Sequence, residues 1–146
     1  MHTPPPDRRS ALLALLAGLG LHSARALAQS EPHPTARWFG AAESMRQMAL
    51  SWGDQSYGAV VVIGQSLMGE GPSRVVRDRD ASAHAERVAI RDAQRRLGRT
   101  RLSGAVMYST SRPCPDCEHA AALAGVERMY FGSQLTDAGR PRTQEP

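Results

Sequence analysis

The chain is predicted to fold as a single α/β domain with a mixed sheet and helices packed on it. Three observations predict this. Short apolar, β-branched runs alternate with stretches of helical periodicity after an opening hairpin, which is the order of an α/β domain. The 146 residues suit one domain. Hydrophobic content of 41% and charged content of 22% are enough for a packed core.

Residues 1–28 read as an export signal. Arg8-Arg9 precede an apolar run from Ala11 to Leu21, and Ala26-Leu27-Ala28 is an A-x-A cleavage pattern. The run is shorter than the roughly 20 residues that span a bilayer, so no membrane anchor is expected. The paired arginines and Arg25 near the cleavage site resemble a twin-arginine signal, with an ordinary secretory signal as the alternative. A periplasmic or secreted location follows as an expectation. Residues 29–34 are a polar linker, residues 35–133 the domain, and residues 134–146 a polar, Pro-bearing tail expected to be poorly ordered. The formal charge is +4. Asp7, Arg8, Arg9 and Arg25 carry +2 of it, so the domain keeps about +2, too little to argue for nucleic acid on charge alone.

Thr35 is placed to cap a helix running to about Trp52. Trp38, Ala41, Ala42, Met45, Met48, Ala49 and Trp52 share one face at helical spacing and read as a core face. Gly53-Asp54-Gln55 breaks it. Tyr57 to Ile63 is a buried strand, Gly64-Gln65 a tight turn, and Ser66 to Met68 a short second strand closing a hairpin. Arg74 to Asp80 is a charged loop, open to a reading as substrate contact or as solvated surface. Ser82 is a candidate N-cap for a helix from about Ala83 to Leu97, which Gly98 ends. Arg87, Arg91, Arg95 and Arg96 lie mostly off its apolar face and read as solvated. Ala105 to Thr110 is a third strand. Pro115 opens a helix to about Leu123, and Glu127 to Phe131 is a fourth strand.

Two clusters stand out against this frame. One is His84-Ala85-Glu86. The other, Pro113-Cys114-Pro115-Asp116-Cys117, holds the only two cysteines. Imidazole and thiolate are ligands that Zn2+ prefers, and three protein ligands leave a coordination position open, as catalytic zinc sites do. Both clusters fall at predicted helix starts, whose partial positive charge favours thiolate over thiol.

His84-x-Glu86 followed by Pro113-Cys114-x-x-Cys117 resembles the signature of the zinc-dependent cytidine/deoxycytidylate deaminase superfamily. The resemblance is closest to the branch of tRNA adenosine deaminases and bacterial guanine deaminases. It extends to Tyr57–Val62, Gly69-Glu70-Gly71 and Ala124–Gly132, and spans roughly residues 35–133. It implies a cytidine deaminase-like three-layer α/β/α fold, with helices on both faces of the mixed sheet. It also implies Zn2+ held by His84, Cys114 and Cys117, with Glu86 as general acid/base moving protons between water and the departing amine. The Ala85 backbone would contact the base. The family's fifth strand and closing helix would follow Gly132, and the chain reads as C-terminally shortened there. A homodimer is expected because the family is commonly dimeric.

Two positions depart from the branch. Arg112 stands where glutamate is usual, and is a candidate contact for a substrate carboxylate or phosphate. Ser73 stands where an asparagine usually meets the base, and is a candidate substrate contact with shorter reach. The expected activity is hydrolytic deamination of a guanine-, adenine- or cytosine-type nucleobase or nucleoside. The alternatives are a tRNA adenosine deaminase, harder to reconcile with export, and a non-catalytic deaminase-fold protein stabilised by zinc. Read apart from His84, Cys114-Pro-Asp-Cys117 also fits an exported redox pair or a plain disulfide. His119 reads as a packing or surface histidine rather than a fourth ligand.

Overall fold

The computed structural model describes residues 36–144. The export signal over residues 1–28, the linker over 29–34 and the cap at Thr35 lie outside the described residues.

Helix α1 (Ala36–Ser51) is followed by strands β1 (Gly58–Ile63) and β2 (Ser66–Pro72), helix α2 (Ala85–Leu97) and strand β3 (Ala105–Ser109). Helix α3 (Pro115–Ala124), strand β4 (Arg128–Phe131) and strand β5 (Thr136–Gly139) complete the order. The sheet runs β2-β1-β3-β4-β5. The β1 strand is antiparallel to both β2 and β3, β3 is parallel to β4, and β4 is antiparallel to β5. The sheet is therefore mixed, as expected. The parallel step from β3 to β4 crosses over through α3, the connection a parallel pair requires.

Period-two alternation makes three layers of it. Val60, Val62, Tyr108 and Tyr130 face one side and bury Trp38, Ala42 and Met45 of α1. Tyr108 and Tyr130 are register partners, and their rings stack at 5.4 Å. Ala59, Val61, Met107 and Met129 face the other side and meet Ala85, Ala89 and Ala93 of α2 and Ala121 and Ala124 of α3. Met48, expected on the core face of α1, is 40% exposed, because Trp38, Ala42, Met45 and Ala49 already fill the stripe that reaches the sheet.

The second strand is longer than its apolar run, because Gly69 and Gly71 extend it. A Cβ on Gly71 would lie 2.0 Å from the Ala85 carbonyl oxygen and 2.5 Å from the Ala89 nitrogen. Only glycine lets the first turn of α2 lie this close to the sheet. Gly98 ends α2 in the left-handed conformation (φ 62°), its N–H reaching the Arg95 and Gln94 carbonyls.

Two expectations are corrected. Ser82 does not cap α2: its hydroxyl donates to Asp80 Oδ1 at 2.7 Å, and His84 is the N-cap residue. The chain after Gly132 holds a fifth strand where only a polar tail was expected. Four residues of backbone pairing with β4 are enough to form it, and Arg128 and Asp137 join the two strands by an ion pair. Beyond it, the Arg142 N–H donates to Glu118 Oε1 at 3.2 Å and the Gln144 N–H to His119 Nδ1 at 3.1 Å. His119 is thus a residue in the middle of α3 that packs against the chain's end. No helix follows β5 among the described residues, and none of their helices is long and apolar enough to cross a membrane.

Candidate metal centre

The two clusters meet because two helices begin side by side. His84 is the N-cap of α2 and Cys114 the N-cap of α3, both in extended conformation (ψ 152° and 163°) with no side-chain cap bond. A cap side chain not spent on its own helix is free to turn toward a shared point. Pro115 sits in the first turn of α3, where a missing N–H costs nothing. It is followed by Cys117, one turn above Cys114.

His84 Nδ1 lies 3.6 Å from Cys114 Sγ and 3.5 Å from Cys117 Sγ. The three ligand atoms are all within 4.8 Å of one another. An ion bound at about 2.3 Å to sulfur and 2.0–2.1 Å to nitrogen in a tetrahedron has nitrogen–sulfur edges of about 3.6 Å. The donor set and its spacing fit zinc. Both thiols are free rather than joined, and an imidazole nitrogen equidistant from them is what a ligand set needs and a redox pair does not.

Cys117 is fully buried, and burial, followed by the neighbouring Glu86 carboxylate, pushes its thiol well above the ordinary range. A cation at the site is what makes thiolate affordable there. Glu86 follows two residues after His84 in the first turn of α2 and is only 6% exposed. Burial pushes its carboxyl up, opposed by its own backbone N–H, by the Cys117 thiol and by His84. A carboxylate removed from water beside three metal donors is poised for proton transfer rather than for solvation.

A pocket of about 360 Å³ opens on this cluster, at the small end of the roughly 300–1,000 Å³ common for small-molecule sites. His84, Ala85, Glu86 and Cys114 form one side. Arg112, expected as a substrate contact, lines it too, as do Gln55, Tyr57 and Ser111. Those last three escaped sequence reasoning. Each belongs to a loop or strand edge whose place at the pocket depends on long-range packing, and none carries a motif.

Ser73 is brought elsewhere. It is fully buried, outside the pocket wall, and its hydroxyl donates to Asp54 Oδ1 at 2.9 Å. Asp54 also accepts the N–H groups of Gln55 (2.7 Å), Val76 (3.0 Å) and Arg77 (2.8 Å). One carboxylate therefore ties the charged loop after β2 to the segment that carries Gln55 into the pocket. The loop itself, expected either to touch substrate or to be solvated, stays out of the pocket wall: Arg74 pairs with Asp78, and Arg77 stacks over Trp52 at 4.2 Å. Three of the four arginines of α2 pair on the surface, Arg95 and Arg96 with Asp92 and Arg91 with Asp80.

Burial pushes the Asp54 carboxyl up, but the Arg77 and Gln55 N–H groups, the Ser73 hydroxyl and the Val76 N–H together hold it below its usual value. A carboxyl depressed on folding contributes stability above its unfolded value of about 3.9. That stability is lost as pH falls through the lower folded value. Thermal unfolding followed from pH 7 to pH 2 is expected to show a drop in Tm below about pH 4. In Asp54→Asn the profile should start lower at pH 7 and be flatter below pH 4. Parallel profiles in the two proteins would remove Asp54 as the source.

A family model described as the cytidine and deoxycytidylate deaminase zinc-binding region matches residues 34–133. The chain is 33% identical over 85 residues to a tRNA-specific adenosine deaminase of Buchnera aphidicola, covering 58% of this chain and 56% of that protein. It is 35% identical over 82 residues to the guanine deaminase of Bacillus subtilis, covering 56% and 53%. The chain thus spans about half the length of the curated relatives it matches. The solved structure of guanine deaminase from Bacillus subtilis is similar with a TM-score of 0.65 and 28% identity, over 68% of this chain and 64% of that one. A structure from studies of A-to-I editing by tRNA:A34 deaminases at the wobble position matches with a TM-score of 0.65 and 32% identity, over 67% and 71%.

Proposed function

The chain belongs to the cytidine and deoxycytidylate deaminase family, and from that membership we propose that it is a hydrolytic deaminase of a nucleobase or nucleoside of the guanine, adenine or cytosine type. One observation carries this reading: Glu86, a buried carboxylate, is set against the three-donor cluster of His84, Cys114 and Cys117. A zinc site that only stabilises the fold has no use for an extra unliganded acid kept out of water.

When bound to those three donors, Zn2+ supplies a Lewis acid that makes water a competent nucleophile near neutral pH. The remaining work falls to the chain's own residues. Glu86 takes a proton from the attacking water and returns it to the departing amine. Water adds to the ring carbon, the carbon–nitrogen bond breaks, and ammonia leaves with a ring carbonyl in its place. Ala85 opens α2 and lines the pocket. Its N–H is among those at the helix start that no helical carbonyl satisfies, and so is available to the ring. Gln55, Tyr57 and Ser111 offer neutral donors and acceptors for the ring edge.

The pocket volume and the export reading of residues 1–28 both favour a free heterocycle over a folded RNA. A small-molecule substrate, a second copy of the chain as partner and a periplasmic setting belong to the same proposal. The test is ammonia release by zinc-loaded protein from guanine, adenine, cytosine, their nucleosides and a tRNA anticodon hairpin. Turnover of a free base or nucleoside is expected. Turnover of the hairpin alone would assign the chain to tRNA instead. Silence across the panel, with zinc confirmed bound, would end the deaminase reading.

A further inference from the structure

Arg112 lines the metal pocket and also the small adjoining cleft walled by Glu118, Met129 and Arg142. It is exposed, whereas Glu86 is buried, so Arg112 stands at the rim and Glu86 at the floor. Among the described residues, its guanidinium makes no ion pair or hydrogen bond. Its one contact is the Phe131 ring, 5.8 Å from the guanidinium carbon, which leaves all five N–H donors unspent. The acid that could have quenched it from the adjoining cleft, Glu118, is taken by the backbone N–H and Nε of Arg142.

Arg79, Arg87, Arg99, Arg101 and Arg140 likewise make no ion pair or side-chain hydrogen bond among the described residues, but Arg112 is the one arginine in the wall of the metal pocket. Arg46, Arg74, Arg95, Arg96, Arg128 and Arg142 each have a carboxylate partner. Besides Arg112 itself and the metal donors His84 and Cys114, the polar wall of the metal pocket contains one acid, Glu86, and neutral groups at Gln55, Tyr57 and Ser111. An anion is disfavoured at the floor by Glu86 and favoured at the rim by Arg112, whose planar fork matches phosphate and carboxylate geometry.

We propose that Arg112 makes this site selective for substrates that carry an oxyanion, a phosphate monoester or a ring carboxylate, at the end away from the reacting amine. This deepens the deaminase reading and rests on it for the identity of the ring. The anion preference itself is a binding property and is tested separately from turnover.

Binding is measured by calorimetry on the zinc-loaded full chain carrying Glu86→Gln, so that no compound is consumed. The probes are paired: cytidine with its 5′-monophosphate, adenosine and guanosine likewise, and cytosine with cytosine-5-carboxylate, with inorganic phosphate alone as a further probe. For at least one pair, the anionic member is expected to bind tighter by roughly tenfold or more. Adding Arg112→Ala should bring that ratio close to one, and Arg112→Lys should restore part of it. A preference in the nucleotide pairs points to phosphate, and one in the cytosine pair to carboxylate. Equal affinities within every pair, no binding of any probe, or a ratio unchanged in Arg112→Ala would each overturn the proposal. A ratio that depends on Arg112, in a protein whose wild-type form releases no ammonia from the same compounds, would keep the anion site and remove the deaminase.

Discussion

Glu86→Gln is expected to abolish ammonia release, by at least about 10³-fold, while leaving zinc content and fold unchanged. Glutamine keeps the volume of a side chain that is 6% exposed in the first turn of α2, so no cavity opens and the packing of α2 on the sheet is preserved. What is lost is a group that accepts a proton and gives it back. General acid–base catalysis contributes typically 10²–10⁴-fold, and in the proposed mechanism one residue serves as both base and acid, so the upper part of that range applies. The neighbours of Glu86 sharpen the expectation. Burial pushes its carboxyl up, Cys117 contacts it, and no other acid lines the pocket to replace it. The check is a coupled ammonia assay alongside metal analysis of the same preparation. A variant with bound zinc that retains a tenth of the activity would show that the proton moves by another route.

Cys117→Ser is expected to lose both the metal and a large part of the stability. Cys117 is fully buried at the third position of α3, and its sulfur lies 3.5 Å from His84 Nδ1. A hydroxyl is a poor zinc ligand and a costly group to leave buried without a partner. Ligand binding to the folded state alone contributes about 4 kcal/mol at a thousandfold excess over Kd. For a domain of this size that corresponds to a fall in Tm on the order of 15 °C. Stripping the wild-type protein with a chelator should lower its Tm by a comparable amount, and the chelator should do little more to the variant. A wild-type Tm that ignores the chelator would mean that the cluster is held by packing and not by an ion.

How much of this was legible beforehand follows from the range of each signal. The strands of Val60 and Val62, of Met107 and of Met129 are written as short apolar, β-branched runs, and the helices between them in a period of 3.6, signals that need only neighbours in sequence. The metal donors were legible for the same reason: Cys114 and Cys117 are one turn apart, and His84 and Glu86 share another, so each half of the site is local. The fifth strand was not legible, because Thr136–Gly139 has no apolar alternation and exists through backbone pairing with β4. The cap of α2 was misplaced by two residues because Ser82 finds Asp80, a competition between neighbours that propensity does not resolve.

The pocket wall shows the division most clearly. Ser73 and Arg112 were both marked from sequence, yet tertiary packing sent one to a buried bond with Asp54 and the other to the pocket wall. Gln55, Tyr57 and Ser111 reach that wall because one loop is clamped by Asp54 and another runs on from β3. By itself the sequence determined the alternation of helices and strands, the first four strands along the chain and the donor types of the two metal clusters, since each depends on spacing within one element; the three-layer arrangement followed only from the family resemblance. The tertiary structure alone decided which polar side chains line the pocket, since that depends on where separate loops come to rest and which hydrogen bonds they have already spent.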